Sequence, residues 1–172
     1  MALVKRNDKK AFWGIPTEGG EATFTRMKGF TELTGSKNPK EYARQYVDEN
    51  HETTDVIAYS PSMAFAFDEL TDDAVLADLV SILNKEMLGT DARREIIQVD
   101  FSNPVDGGYA AIKRTFSVIG DAEGGNLEAY TYSGNFKAVG KSIHGVAAIV
   151  TPVEGDSDTV ETITFTAETK AE

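Results

Sequence analysis

The sequence contains no cysteine. Disulfide frameworks, thiolate metal sites and cysteine nucleophiles are therefore excluded, and the composition fits a reducing compartment. Histidine is nearly as scarce, with His51 and His144 far apart in the chain. Neither has a second histidine at ligand spacing, so metal binding is not expected. Nowhere do eighteen apolar residues run together, and the opening "MALVKRNDKKAFWG" has no apolar stretch long enough for a signal-peptide core. The chain reads as a soluble protein.

Positive charge is also in short supply. Lysine and arginine number 17 against 28 aspartates and glutamates, a net charge of −11. Grip on a phosphate backbone comes from basic side chains that displace counterions, so ordinary nucleic-acid binding is not expected. An excess of carboxylates also keeps a protein soluble.

Catalytic patterns are missing too. The serines of "YSPSM" lack the setting of a nucleophile elbow, and "GDAEGGN" has the glycines of a phosphate loop without its lysine or helix start. Asp72 with Asp73, and Asp156 with Asp158, complete no calcium loop. They read as a helix cap and a solvated loop. No enzyme activity and no cofactor are expected.

What is present suffices for one domain over residues 1–172. Apolar residues make up 41% and charged residues 26%, and a chain of this length buries roughly 70% of its unfolded surface. One helix is predicted from Asp72 to about Leu88. Val75, Leu76, Leu79, Val80, Leu83 and Met87 form a stripe, the two aspartates suit the positive end of the helix dipole, and Gly89 supplies a stop.

Most of the remainder alternates in the manner of strands. "SMAFAFDE" places Met63, Phe65 and Phe67 on one face, and "REIIQVDFS" does so with Ile97, Val99 and Phe101. "AAIKRTFSVIG", "EAYTYSGNFKAVG" and "TVETITFTAE" complete the set. Turns are predicted at Asn103, Pro104, Gly107 and Gly108, and again at Gly120, Gly124 and Gly125. "TPVEGDSD" reads as a loop before the last strand. The pattern predicts a mainly β fold, two packed sheets or a flattened barrel, with one helix on an open end or flank.

Residues 1–20 are largely polar around Phe12, Trp13 and Ile15 and read as an N-terminal arm. The lone tryptophan, Trp13, either folds back on its own domain or docks on a neighbouring subunit, since a bulky aromatic on a flexible segment is a common interface anchor. A second unusual stretch is "FTRMKGFTELTGSKNPKEYARQYVDE". Neither of its parities is cleanly apolar or polar, so it reads as an extended segment with polar groups on both faces.

Together with "TDVIAYSPSMAFAFD" and the acid-capped helix that follows, "RMKGFTEL" and "NPKEYARQYVDE" resemble the N-terminal half of the major tail proteins, the tail tube proteins of long-tailed bacteriophages. The likeness spans about residues 20–90 by motif and the rest by strand pattern only. It implies a tail-tube-type β-sandwich or barrel with one flanking helix, a long loop and terminal arms. Such subunits assemble into hexameric rings that stack into a hollow tube, which encloses a tape-measure protein and later conducts viral DNA.

The resemblance further implies that residues 34–55 form the long loop or hairpin that reaches the next ring, through Lys37, Lys40, Arg44, Asp48, Glu49 and Glu52. Its partners would be other copies of the chain, the tape-measure protein, and terminator, initiator or baseplate proteins. The location would be the virion, after assembly in the host cytoplasm. Carboxylates lining the channel would repel DNA and let it pass without specific binding. Two other readings fit the sequence. One is the inner tube of a contractile tail or injection device, and the other is a monomeric β-sandwich that presents Tyr130 and Tyr132 to a carbohydrate.

Overall fold

Phe12 and Trp13 are adjacent in sequence, point to opposite sides of one strand, and are both fully buried. That strand, β1 (Lys9–Pro16), is followed by β2 (Ala22–Arg26), β3 (Phe30–Ser36), β4 (Pro39–Arg44), β5 (Thr53–Tyr59) and β6 (Ser62–Asp68). Then come the helix α1 (Ala74–Asn84) and strands β7 (Arg93–Val105), β8 (Gly108–Gly125), β9 (Tyr130–Thr151) and β10 (Thr162–Ala167). The structure, a computed structural model, describes residues 1–125, 127–151 and 159–169. It is mainly β, with α1 the one α-helix among the described residues.

The main sheet runs β10-β2-β1-β7-β8-β9-β6-β3, and β10 also pairs with β9. Six strands therefore close on themselves, while β6 and β3 extend outward from β9. β9 serves both parts: its second half pairs with β10 and its first half with β6. The two halves meet at a bulge, where Lys113 to Thr115 of β8 lies opposite Val139 to Ile143. Gly140, at φ 78°, supplies the left-handed residue this bend requires.

Alternation along the shared strands divides the core. Inside the closed part, Phe12 packs with Ile97, Val99, Ala111, Ala147, Val160 and Ile163. On the other face, Trp13 joins Phe65, Phe67, Ile96, Phe116 and Phe136 under the helix residues Val75, Leu76, Leu79 and Ile82. The rings of Phe65 and Phe136 stack with centroids 4.3 Å apart, and Trp13 lies 5.4 Å from Phe136. Gly134 allows this closeness, because a Cβ there would lie 2.9 Å from the Phe65 ring and 2.2 Å from the Ile119 carbonyl oxygen. Truncating a ring of this size in such a core costs about 3–5 kcal/mol.

The fold departs from several of these expectations. Residues 1–20 are not an arm: β1 lies between β2 and β7 within the sheet, and Phe12 and Trp13 belong to the protein's own two cores. A strand covered on both faces carries apolar residues at consecutive positions, so the alternation that marks a strand is lost. The run "RMKGFTEL" is not one strand but the end of β2, a break at Met27–Gly29 and the start of β3. Gly120, Gly124 and Gly125 lie within β8, and the turn after β7 falls at Asp106 and Gly107.

The helix is shorter than its stripe suggests. Asp73 is the N-cap, its side chain accepting from Val75 N at 2.9 Å and Leu76 N at 3.2 Å. At the other end Met87 N donates to Ile82 O and Glu86 N to Leu83 O. This double closure places Glu86 at φ 49°, a left-handed position where glycine is the usual residue. Met87 and Gly89 therefore lie beyond the helix.

Candidate interaction surfaces

β4 and β5 form a two-stranded sheet of their own, separate from the main sheet. Every residue of β5 is exposed, and in β4 only Arg44 is partly covered. Antiparallel register pairs Glu41 with Val56, Tyr42 with Asp55 and Ala43 with Thr54. One face therefore carries Pro39, Ala43, Val56 and Tyr59, and the other Lys40, Tyr42, Arg44 and Asp55. Arg44 Nη1 lies 2.6 Å from Asp55 Oδ2, and the guanidinium sits 6.0 Å from the centre of the Tyr42 ring. A hairpin with no core beneath it is marginally stable in isolation.

The root is clamped where the tip is not. Asn38, left-handed at φ 46°, separates β3 from β4. Its Nδ2 donates to Ser60 O and Ser62 Oγ, each at 3.0 Å, and Ser60 N donates back to Asn38 O. The hairpin thus leaves the β3–β6 pair along a fixed path. Its six-residue β4 strand spans about 20 Å.

Of the residues expected to make subunit contacts, Lys37 stands at the root, Lys40 and Arg44 on β4, and Asp48, Glu49 and Glu52 around the tip. All are exposed except the partly covered Arg44. The structure brings these six onto one projecting element, while Phe12 and Trp13 lie inside the fold. The hairpin spans residues 39–59 instead of 34–55, since Thr34 to Ser36 belong to β3. Exposed Tyr46, Val47, Ile57 and Tyr59 were not singled out from sequence. Their signal was available as the apolar residues interspersed in "YARQYV" and "DVIAY".

Beside the root lies an open cleft of about 700 Å³. Gln98, Ile112 and His144 face each other across β7, β8 and β9 and form its floor. Lys5, Arg6, Lys9 and Lys10 form one lip, facing Asp100 and Glu168. Arg6 fixes that lip to the main sheet, its Nη2 donating to Leu33 O on edge strand β3 at 3.1 Å and its Nη1 to Lys9 O at 2.9 Å. Lys5 N donates to Asp8 Oδ2 at 2.7 Å and Asp8 N donates to Lys5 O, so from the Lys5 backbone onward the N-terminal segment is part of the fold, while Met1, Leu3 and Val4 are left exposed.

A second groove, about 510 Å³, runs between the C-terminal end of α1 and strands β8 and β9. Apolar Leu83, Met87, Leu88 and Ile119 line it, and Glu86, Asp121 and Glu123 rim it. Tyr132 is buried at its base, and burial pushes its phenol above the ordinary tyrosine value, aided by the charges of Glu69 and Glu123 and opposed by a hydrogen bond with Asn84.

No group of three or more histidines and carboxylates suited to a metal ion occurs among the described residues. His51 sits exposed at the hairpin tip and His144 on the outside of β9. Asp72 precedes the capping Asp73, while the Asp156–Asp158 pair lies outside the described residues. Tyr130 and Tyr132 do not form an aromatic platform: their rings meet edge to face at 5.3 Å, and Tyr132 is in the core. No family model and no curated protein matches the chain.

Proposed function

We propose that this protein is a structural subunit of a bacteriophage tail tube. In this reading its copies form hexameric rings that stack into a hollow tube, enclose a tape-measure protein and conduct viral DNA without binding it. The observation that carries the reading is the free-standing β4–β5 hairpin. It holds apolar side chains in water on a rigid root and contributes no residue to either core. Such an element gains its stabilisation from another molecule, and mixed charges along it set the register of that contact.

The rest of the molecule supplies what a wall subunit needs. A closed six-strand body and a helix-covered sheet make a stiff block, and a net charge of −11 disfavours adhesion to DNA. Negative-stain microscopy of the concentrated protein tests the reading directly. Rings or tubes are the expected result. Dispersed single particles at every concentration, with and without the tail initiator complex, would sink it.

A further inference from the structure

Among the described residues, none fills the groove at the end of α1. Leu88 is 82% exposed and Ile119 43% exposed, so its apolar lining faces water. None of Glu86, Asp121 and Glu123 is ion-paired among the described residues. The C-terminal carbonyls of α1 add partial negative charge at the same place. Glu86 holds its carboxylate there from a left-handed position where glycine would fold with less strain. What fits this groove is an extended segment with apolar side chains next to a positive charge.

The chain itself carries such a segment. Leu3 is 90% and Val4 56% exposed, and Lys5 follows them. The segment cannot reach the groove of its own molecule. Val4 and Lys5 border the first cleft beside Ala111, whereas the groove begins near Val118 and extends past Asp121 on the same strand. The ten residue steps from Ala111 to Asp121 follow a path of about 33 Å along β8. Leu3 lies two residues from Lys5, a reach of about 7 Å.

We infer that the groove receives the Leu3–Lys5 segment of a second copy. Leu3 and Val4 cover Leu88 and Ile119, and the Lys5 ammonium lies among the three carboxylates. The contact joins two different surfaces, so each copy keeps a free segment at one end and a free groove at the other. Such a head-to-tail contact propagates into a ring or a filament. The inference rests on the self-assembly proposed above and assigns it a specific pair of surfaces.

Two full-length variants test it, both altered at exposed positions, with melting curves to establish that they fold. The segment variant is Leu3→Asp with Lys5→Glu, and the groove variant is Glu86→Lys with Asp121→Lys. In sedimentation velocity the parent associates, whereas each variant alone sediments as an 18.7 kDa monomer. Their equimolar mixture gives a one-to-one heterodimer, because each supplies the surface its partner has lost. A synthetic peptide of residues 1–10 binds the parent and the segment variant, and the groove variant at least tenfold more weakly. If both variants associate like the parent, or the mixture stays monomeric while the peptide fails to bind, the inference is overturned. Rings formed equally by all three proteins would remove this contact and leave the tube reading standing. Groove-dependent peptide binding in a protein that never forms rings would do the reverse.

Discussion

Trp13 Nε1 donates a 2.8 Å hydrogen bond to Asp78 Oδ2, joining an inner strand of the main sheet to the middle of the helix. The same carboxylate takes two bonds from Arg94, Nε to Oδ2 at 2.9 Å and Nη2 to Oδ1 at 3.1 Å. One aspartate on α1 thus fixes the helix against both β1 and β7. Both partners of the ion pair are largely covered, with side-chain exposures of 12% for Arg94 and 18% for Asp78.

Removing that carboxylate leaves a guanidinium and an indole N–H without their acceptor in a partly dry site. Asp78→Ala is expected to destabilise the protein by about 2–4 kcal/mol. Asp78→Asn keeps one acceptor for Trp13 and costs less. Urea unfolding followed by the fluorescence of Trp13 measures both, and a midpoint unchanged in Asp78→Ala would contradict the role.

The hairpin supports the opposite expectation. Replacing residues 39–59 by a short turn removes no member of either core cluster, so the melting temperature is expected to stay within a few degrees of the parent. Assembly, in contrast, is expected to be lost. Calorimetry and electron microscopy on the same sample separate the two effects, and a large drop in melting temperature would show that the hairpin supports its own domain.

These two cases also show what could be read from sequence. The alternation of Phe65 with Phe67 and of Ile97 with Val99 identified β6 and β7, because one face of each carries the larger apolar side chains. β1 was hidden because Phe12 and Trp13 serve two cores at once, which places aromatic residues side by side and imitates a sticky arm. Gly120 suggested a turn, yet it lies in β8 where a Cβ would meet Leu83 Cδ2 at 2.8 Å. Its small size accommodates the helix. The hairpin was legible as a charged, two-faced segment, but its start depends on the left-handed Asn38, which no periodicity marks. The groove residues lie on separate elements, and only the fold brings them together.

Glu86 offers a test in which stability and association move in opposite directions. At φ 49° it carries a left-handed penalty that glycine does not. Glu86→Gly is expected to stabilise the folded protein by about 0.5–1 kcal/mol. The same change removes one of three carboxylates at the groove and is expected to weaken self-association. Chemical denaturation and sedimentation of this variant read the two effects separately.

Asp100 is the described carboxylate whose acid response can be assigned a direction. Its pKa lies below the ordinary 3.8, mainly because the Ser102 hydroxyl and backbone N–H donate to it, with a smaller contribution from Lys9 at 3.6 Å and some opposition from burial. A lowered folded pKa contributes stability that is present above the unfolded value and is lost as pH falls through the folded one. The loss therefore falls below about pH 3.8. Ser102→Ala is expected to move the Asp100 titration, followed by carboxyl NMR, back toward the ordinary value. A curve unchanged by that substitution would remove Ser102 as the cause.

The charge balance makes a prediction about DNA. With 28 acids against 17 bases, contact with a duplex brings like charges together and releases few counterions. The screening length is about 8 Å at physiological salt, so the repulsion is short-ranged and acts on a duplex close to a protein wall. The basic lip formed by Lys5, Arg6, Lys9 and Lys10 is the place where this could fail. There Asp100 and Glu168 face the cations across the cleft, and Lys9 is already paired with Asp100. Fluorescence anisotropy with a labelled duplex is therefore expected to show no binding at physiological salt, for the dispersed protein and for any assembled form. Tight binding that weakens steeply with added salt would mean that the lip overcomes the net charge, and a freely passing genome would then need a different wall.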